Sequence, residues 1–194
     1  MVNQYLEDLV IEAGLHMWTV DDYHRMIASE ILTTETRVEL LEGQIIEMSP
    51  QQPPHVATTQ IASDYLRKLL EEKATIRVQL PITVRPNSEP EPDIAAVRIN
   101  SQHYINSHPV PDDIFLLVEV ADSTLNTDRN KKSRTYAKAK IQEYWVLDVN
   151  SQQIYIFREP GENSYMQEII LDVNAKLSLV AFPEIEVEIR KLFP

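Results

Sequence analysis

Residues 114–120 read Ile-Phe-Leu-Leu-Val-Glu-Val. An apolar run of this length, without polar alternation, fits a strand buried on both of its faces. Such a strand must be covered above and below, so the chain has to build layers around a sheet. Residues 144–147 (Tyr-Trp-Val-Leu) form a second buried run, and residues 127–139 between the two carry a helical pattern. That order predicts strand, crossover helix, strand.

The flanking segments fill in the layers. Thr19, followed three residues later by Asp22, marks a helix start with a reciprocal cap, and the helix runs to about Ser29. Residues 37–41 and 44–48 predict two strands around a turn at Glu42-Gly43, and the proline-rich stretch 49–54 a rigid loop. A helix is predicted over 55–73, with Ala57, Ile61, Ala62, Tyr65, Leu66, Leu69 and Leu70 on one side. Strands are predicted at 76–80, 82–84, 94–99, 154–158 and 165–170, a polar loop at 102–113, and a short amphipathic tail at 185–193. Together these give an α/β fold, a mixed central sheet with helices on both sides. The expected organisation is an N-terminal arm over 1–17 and a single domain over 18–194.

Composition narrows the chemistry. The 194 residues suffice for one domain with a proper core. The absence of cysteine removes disulfides, thiolate zinc sites and cysteine nucleophiles together. No apolar run approaches the roughly 18 residues of a membrane span, and the acidic first twelve residues do not resemble a signal peptide. These features predict a cytoplasmic protein without a membrane partner. The net charge of −12 argues against tight, non-specific binding of nucleic acid. A carboxylate cluster that holds a divalent ion adds negative charge by itself, so a nuclease is not excluded. Arg129, Lys131, Lys132, Arg134, Lys138 and Lys140 offer a local basic cluster, whose plainer reading is a solvated face. No phosphate-cradling glycine loop and no nucleophile elbow is present.

Two carboxylates stand out. Asp93 follows Glu-Pro-Glu-Pro and opens a strand, while Glu119 sits near the end of the apolar strand. A carboxylate there is costly unless paired, protonated or bound to metal. If the two strands are neighbours, Asp93 and Glu119 converge on one ion such as Mg²⁺, with the Val120 carbonyl as a further oxygen. Asp128, Lys132, Tyr136 and Lys140 recur every four residues and share a helix face. Lys132 can then reach back over the strand ends to position water and offset charge on a phosphoryl group. Each residue also has a plainer reading: Asp93 as a strand cap, Glu119 as an acid paired with a lysine, Lys132 as a solvated lysine, Glu39 as an exposed strand residue. His55 reads as a helix-start cap or stacking residue, or as a contact to substrate phosphate. Tyr136, Tyr144 and Trp145 read as core, with a Tyr136 hydrogen bond toward Glu119 left open.

The combination of Glu-Pro-Asp93-Ile, Leu-Leu-Val-Glu119-Val-Ala-Asp-Ser-Thr, Asp128-x-x-x-Lys132-x-x-x-Tyr136-Ala and Glu143-Tyr-Trp-Val resembles a widespread bacterial family of "putative restriction endonucleases", long treated as a domain of unknown function. Arg37-Val-Glu39-Leu-Leu-Glu-Gly43 and His55 match its early signature. The family's fold is similar to that of the PD-(D/E)xK nucleases. The resemblance covers roughly residues 18–193. It implies Asp93 and Glu119 as metal ligands and Glu39 as a further acid. The superfamily's lysine falls two places after the glutamate, where this chain has Ala121; in this family it looks displaced onto the helix, which lands on Lys132.

The expectation is therefore a Mg²⁺-dependent endonuclease (Mn²⁺ as the other candidate) that cleaves DNA to leave a 5′-phosphate and a 3′-hydroxyl. A homodimer would supply two sites for two strands. The alternative is a catalytically inactive nuclease-fold module that binds nucleic acid or protein, which the acidic charge and Ala121 favour.

Overall fold

The computed structural model describes residues 14–194, so most of the arm expected over 1–17 lies outside the described residues. Its centre is a six-stranded sheet in the order β3-β4-β5-β6-β7-β8. The strands are β3 (Thr75–Val78), β4 (Ile94–Val97), β5 (Ile114–Ala121), β6 (Glu143–Asp148), β7 (Gln153–Pro160) and β8 (Tyr165–Asp172). Only β5 and β6 run parallel; the other neighbours are antiparallel. A parallel pair cannot be closed by a tight turn, and the crossover is the helix α3 (125–138), as the sequence predicts.

The doubly buried reading of residues 114–120 holds because the sheet carries an apolar layer on each face. On one face, Ala62, Leu66 and Leu70 of the segment containing α2 (Pro53–Leu69) pack with Ile94, Val118, Val120, Trp145, Leu147 and the C-terminal Leu192 and Phe193. On the other, Tyr136 and Ile141 pack with Ala95, Leu117, Ala121, Tyr144 and Val146. Alternate residues of β5 thus feed opposite cores, as the strand period requires. The buried side of α2 also takes Thr58 and Thr59, whereas Ala57 is exposed.

A smaller unit closes one end. Helix α1 (Val20–Ala28) begins with the expected reciprocal cap between Thr19 and Asp22. It packs Val20 and Tyr23 on Leu40 of the hairpin formed by β1 (Val38–Leu41) and β2 (Gln44–Glu47). The two-residue loop takes φ 47° at Glu42 and 80° at Gly43, the positive-φ pair that a tight hairpin favours. A Cβ on Gly43 would stand 2.8 Å from the Met17 Cβ. Gly43→Ala is therefore expected to cost more than about 1 kcal/mol, read as a lowered urea midpoint at unchanged slope.

The structure corrects four predicted elements. Residues 82–84 form no strand; Val84 makes only an isolated bridge with Ser88. Strand β3 ends at Val78 because Gln79 turns into positive φ, at 52°. The segment after 172 adds a short hairpin, β9 (Lys176–Ser178) with β10 (Glu186–Glu188), ahead of a final 3₁₀ turn. Finally, α3 is wound as a π-helix over Asp128–Lys132, and Lys140 lies beyond its end at φ 62°. Asp128, Lys132 and Tyr136 are buried together, while Lys140 is exposed and does not share their face.

Candidate active site

The register of β4 on β5 pairs Ile94 with Val118, which sets Asp93 beside Glu119 at the end of that pair. Ala95, Leu117 and Ala121 face α3, and by alternation Asp93 and Glu119 face the same way. Both are buried, at 8% and 3% exposure. Glu119 Oε1 accepts hydrogen bonds from Lys132 Nζ at 2.9 Å and from the Tyr136 hydroxyl at 3.0 Å. The open alternative for Tyr136 is thus the one observed. Lys132 Nζ also lies 3.4 Å from Glu39 Oε1, and Glu39 Oε2 accepts the Glu91 N–H at 3.1 Å. Asp128 accepts from the Thr124 hydroxyl at 2.6 Å.

The solvated-lysine reading of Lys132 and the exposed-strand reading of Glu39 are both overturned: they are 8% and 7% exposed. Glu39 is covered because the β1–β2 hairpin folds over the strand ends, where Leu40 bridges to Glu89. The structure therefore brings Asp93, Glu119, Lys132 and Glu39 to one place from β1, the approach to β4, β5 and α3. Ala121 is fully buried on the same face as Glu119, and Lys132 reaches Glu119 from the helix.

Asp93 is held by three donors. Its Oδ2 accepts the Val120 N–H at 2.9 Å and His55 Nε2 at 3.0 Å, and its Oδ1 accepts Gln79 Nε2 at 3.2 Å. The sequence offered His55 as a cap, a stacking residue or a phosphate contact and not as a partner of Asp93, and it gave no hint of Gln79. A usable signal for His55 existed: it precedes Ala62 by seven residues, in the same helical stripe that packs on the sheet.

Electrostatics follow burial. Desolvation pushes the Glu119 carboxyl well above the usual range, although Lys132 opposes it. Desolvation likewise raises Asp128, to about 6, again against Lys132. Burial works against the Lys132 ammonium, but Glu119, Glu39 and Asp128 outweigh it and hold its pKa above the ordinary value. Burial also opposes the Asp93 carboxylate, yet the His55 bond and charge, with the Val120 and Gln79 bonds, keep its pKa low. Around one ammonium the cluster gathers the carboxyl groups of Glu119, Glu39 and Asp128.

The cleft above these groups holds about 240 Å³, and its walls add Arg37, Glu91, Asp122 and Ser123. Among the described residues no group of three or more His, Cys, Asp or Glu side chains is arranged to hold a metal ion. A hard divalent ion keeps several waters and takes one or two carboxylates plus substrate oxygens, a smaller donor set that Asp93 and Glu119 could supply. Here Asp93 and Glu119 lie side by side, and the Lys132 and Tyr136 donors both meet Glu119 Oε1, leaving Oε2 without a donor among the described residues. In an extended strand a residue's N–H and C=O share an edge, so the Val120 carbonyl lies on the side where its N–H meets Asp93.

Besides Lys132, four residues of the basic cluster are engaged by other parts of the protein. Arg129 pairs with Glu168 at 2.7 Å, Arg134 and Lys138 both meet Glu42 at 3.5 and 2.8 Å, and Lys140 donates to the Gly161 carbonyl at 2.7 Å.

Residues 20–190 match the Uma2 family, described as "Putative restriction endonuclease". The chain belongs to this family. A solved structure described as "a putative nuclease belonging to DUF820", from Anabaena variabilis ATCC 29413, superposes with a TM-score of 0.69 at 20% identity, over 90% of this chain and 97% of that one. At that identity the likeness establishes the fold, and it is the nuclease-like α/β fold expected from the sequence. No protein among the curated ones matches. No helix among the described residues is long and apolar enough to cross a membrane.

Proposed function

We propose that this Uma2-family chain is a Mg²⁺-dependent endonuclease that hydrolyses DNA phosphodiester bonds. Family membership supports a nuclease-like function. The observation that carries the finer reading is the pairing of Asp93 and Glu119 on one sheet face, with Lys132 Nζ 2.9 Å from Glu119. Asp93, Glu119 and the Val120 carbonyl would hold the ion. Once bound, a divalent cation polarises a phosphoryl oxygen and lowers the pKa of water. Lys132 places a fixed positive charge beside the carboxylates, where it can orient the attacking water and offset charge developing on the phosphoryl oxygens. Glu39 and Tyr136 hold Lys132 and Glu119 in place. The water oxygen bonds to phosphorus as the bond to the 3′-oxygen breaks; the water gives up a proton and the departing 3′-oxygen takes one up, so that OH ends on the 5′-phosphate and H on the 3′-hydroxyl.

The test is cleavage of supercoiled plasmid with Mg²⁺ or Mn²⁺ by the wild type, Asp93→Asn and Glu119→Gln. The wild type is expected to nick or linearise the plasmid, and both variants to be inactive while keeping the wild-type circular dichroism spectrum. Full activity in either variant rejects the assignment.

A homodimer is part of this reading on functional grounds alone, since a duplex presents two strands. Light scattering that finds only monomer with and without DNA removes it. A second reading, an inactive nuclease-fold binding module, is favoured by the ion pairs that occupy Arg129, Arg134 and Lys138. Thermal melts separate the two. A live site is expected to gain about 2.7 kcal/mol of stability at a hundredfold excess of Mg²⁺ or Mn²⁺ over its Kd, and the module none.

A further inference from the structure

We propose that His55 is a positioning residue that fixes which oxygen of Asp93 faces the cleft, and so sets the affinity for a divalent cation. The inference rests on the metal reading above. A carboxylate has about four lone-pair sites on its two oxygens. At Asp93 the Val120 N–H and His55 Nε2 occupy both sites of Oδ2, and the Gln79 amide occupies one site of Oδ1. One lone pair on Oδ1 is left. Asp93 is thereby a single-oxygen ligand whose rotamer is set from three directions.

The backbone N–H of Val120 and the amide of Gln79 are placed by the sheet and by the turn after β3. His55 is placed from another layer, at the start of α2. Its ring makes one polar contact, to Asp93; the buried Nδ1 has no partner among the described residues. A histidine kept to cap its own helix would direct its ring at backbone groups. This one spans 38 residues of sequence to reach a carboxylate. Without it, Oδ2 regains a lone pair, the carboxylate can rotate about its side-chain bonds, and the site loses its pre-set geometry.

Calorimetric titration of Mn²⁺ into the full chain tests this, with wild type, His55→Ala and His55→Gln compared. Glutamine carries an amide donor at a reach similar to Nε2. Loss of such an outer partner typically weakens metal binding about 10–100-fold. His55→Ala is expected to raise the Mn²⁺ Kd by that factor, with His55→Gln recovering most of the loss. In plasmid cleavage, the Mn²⁺ concentration for half-maximal rate should shift by the same factor while the rate at saturating Mn²⁺ stays near wild type. A structural role alone would lower metal-free stability without moving the Kd of the folded fraction. Tight Mn²⁺ binding by the wild type with an unchanged Kd in His55→Ala overturns the role of His55 and leaves the proposed function standing. No Mn²⁺ binding by the wild type overturns both.

Discussion

Lys132→Ala is expected to lower stability by about 3–5 kcal/mol and to abolish cleavage. The ammonium stands 2.9 Å from Glu119 and 3.4 Å from Glu39, and it also opposes the raised pKa of Asp128. All four groups are buried. Removing this ammonium leaves carboxyl groups that burial already disfavours in their charged form. The denaturant midpoint should fall accordingly, and divalent cations should recover more stability in the variant than they add to the wild type. Lys132→Arg separates charge from placement. It keeps a positive charge, but a planar fork cannot copy a point charge on a flexible stem, so stability should recover better than cleavage does. A loss of less than about 1 kcal/mol in Lys132→Ala would mean that the pair is as weak as a surface bridge. Retained cleavage would remove Lys132 from the proposed chemistry.

Glu143→Ala should unfold the protein nearly as effectively while touching no group of the candidate site. Glu143 is fully buried at the start of β6. It accepts bonds from Trp145 Nε1 at 3.0 Å, from Arg158 Nε at 2.9 Å and from the Val180 N–H at 2.8 Å, with a further bond from Arg158 Nη2. The carboxylate thus ties β6 to β7 and to the loop that joins β9 to β10. Its removal leaves a largely buried guanidinium with only the Ser178 carbonyl as acceptor and strands two further donors. The expected loss is about 3–5 kcal/mol, seen as a lower melting temperature and midpoint. Mn²⁺ affinity of the fraction that remains folded should match wild type, because Glu143 lies at the end of β6 away from the residues that pair with Glu119. Altered affinity would show that the two ends of the sheet are coupled.

Much of the sheet was legible because burial writes itself into composition. A strand covered on both faces has no room for polar alternation, which is why residues 114–120 and 144–147 stood out. The Thr19–Asp22 cap was legible because it is local, closing within one turn. Asp93 and Glu119 were legible because an acid beside an apolar run costs energy unless something answers it. What escaped was long-range or conformational. The bonds of His55 and Gln79 to Asp93 cross 38 and 14 residues, and neither side chain differs in type from one exposed to solvent. Glu39 looked exposed because a short strand says nothing about what folds over it. The four-residue spacing through Lys140 failed because the helix carries a π turn and ends at Lys138, before the last member. The β9–β10 pair was missed because three-residue strands leave too little pattern to detect.

The scatter of the candidate site along the chain has a consequence for how the protein is made. Glu39 bonds to the Glu91 backbone across 52 residues, and Lys132 reaches back to both Glu39 and Glu119. Contacts of such long range form late in folding, since loop closure must precede the gain they bring. On the ribosome, Asp93, Glu119 and Lys132 are all synthesised before β6, the parallel neighbour that covers the edge of β5. A nascent chain that stops short of β6 therefore holds every proposed ligand yet leaves its most apolar strand uncovered, which favours aggregation over assembly. The candidate site is thus assembled only with the completed sheet, and an unfinished chain is exposed to aggregation before that point.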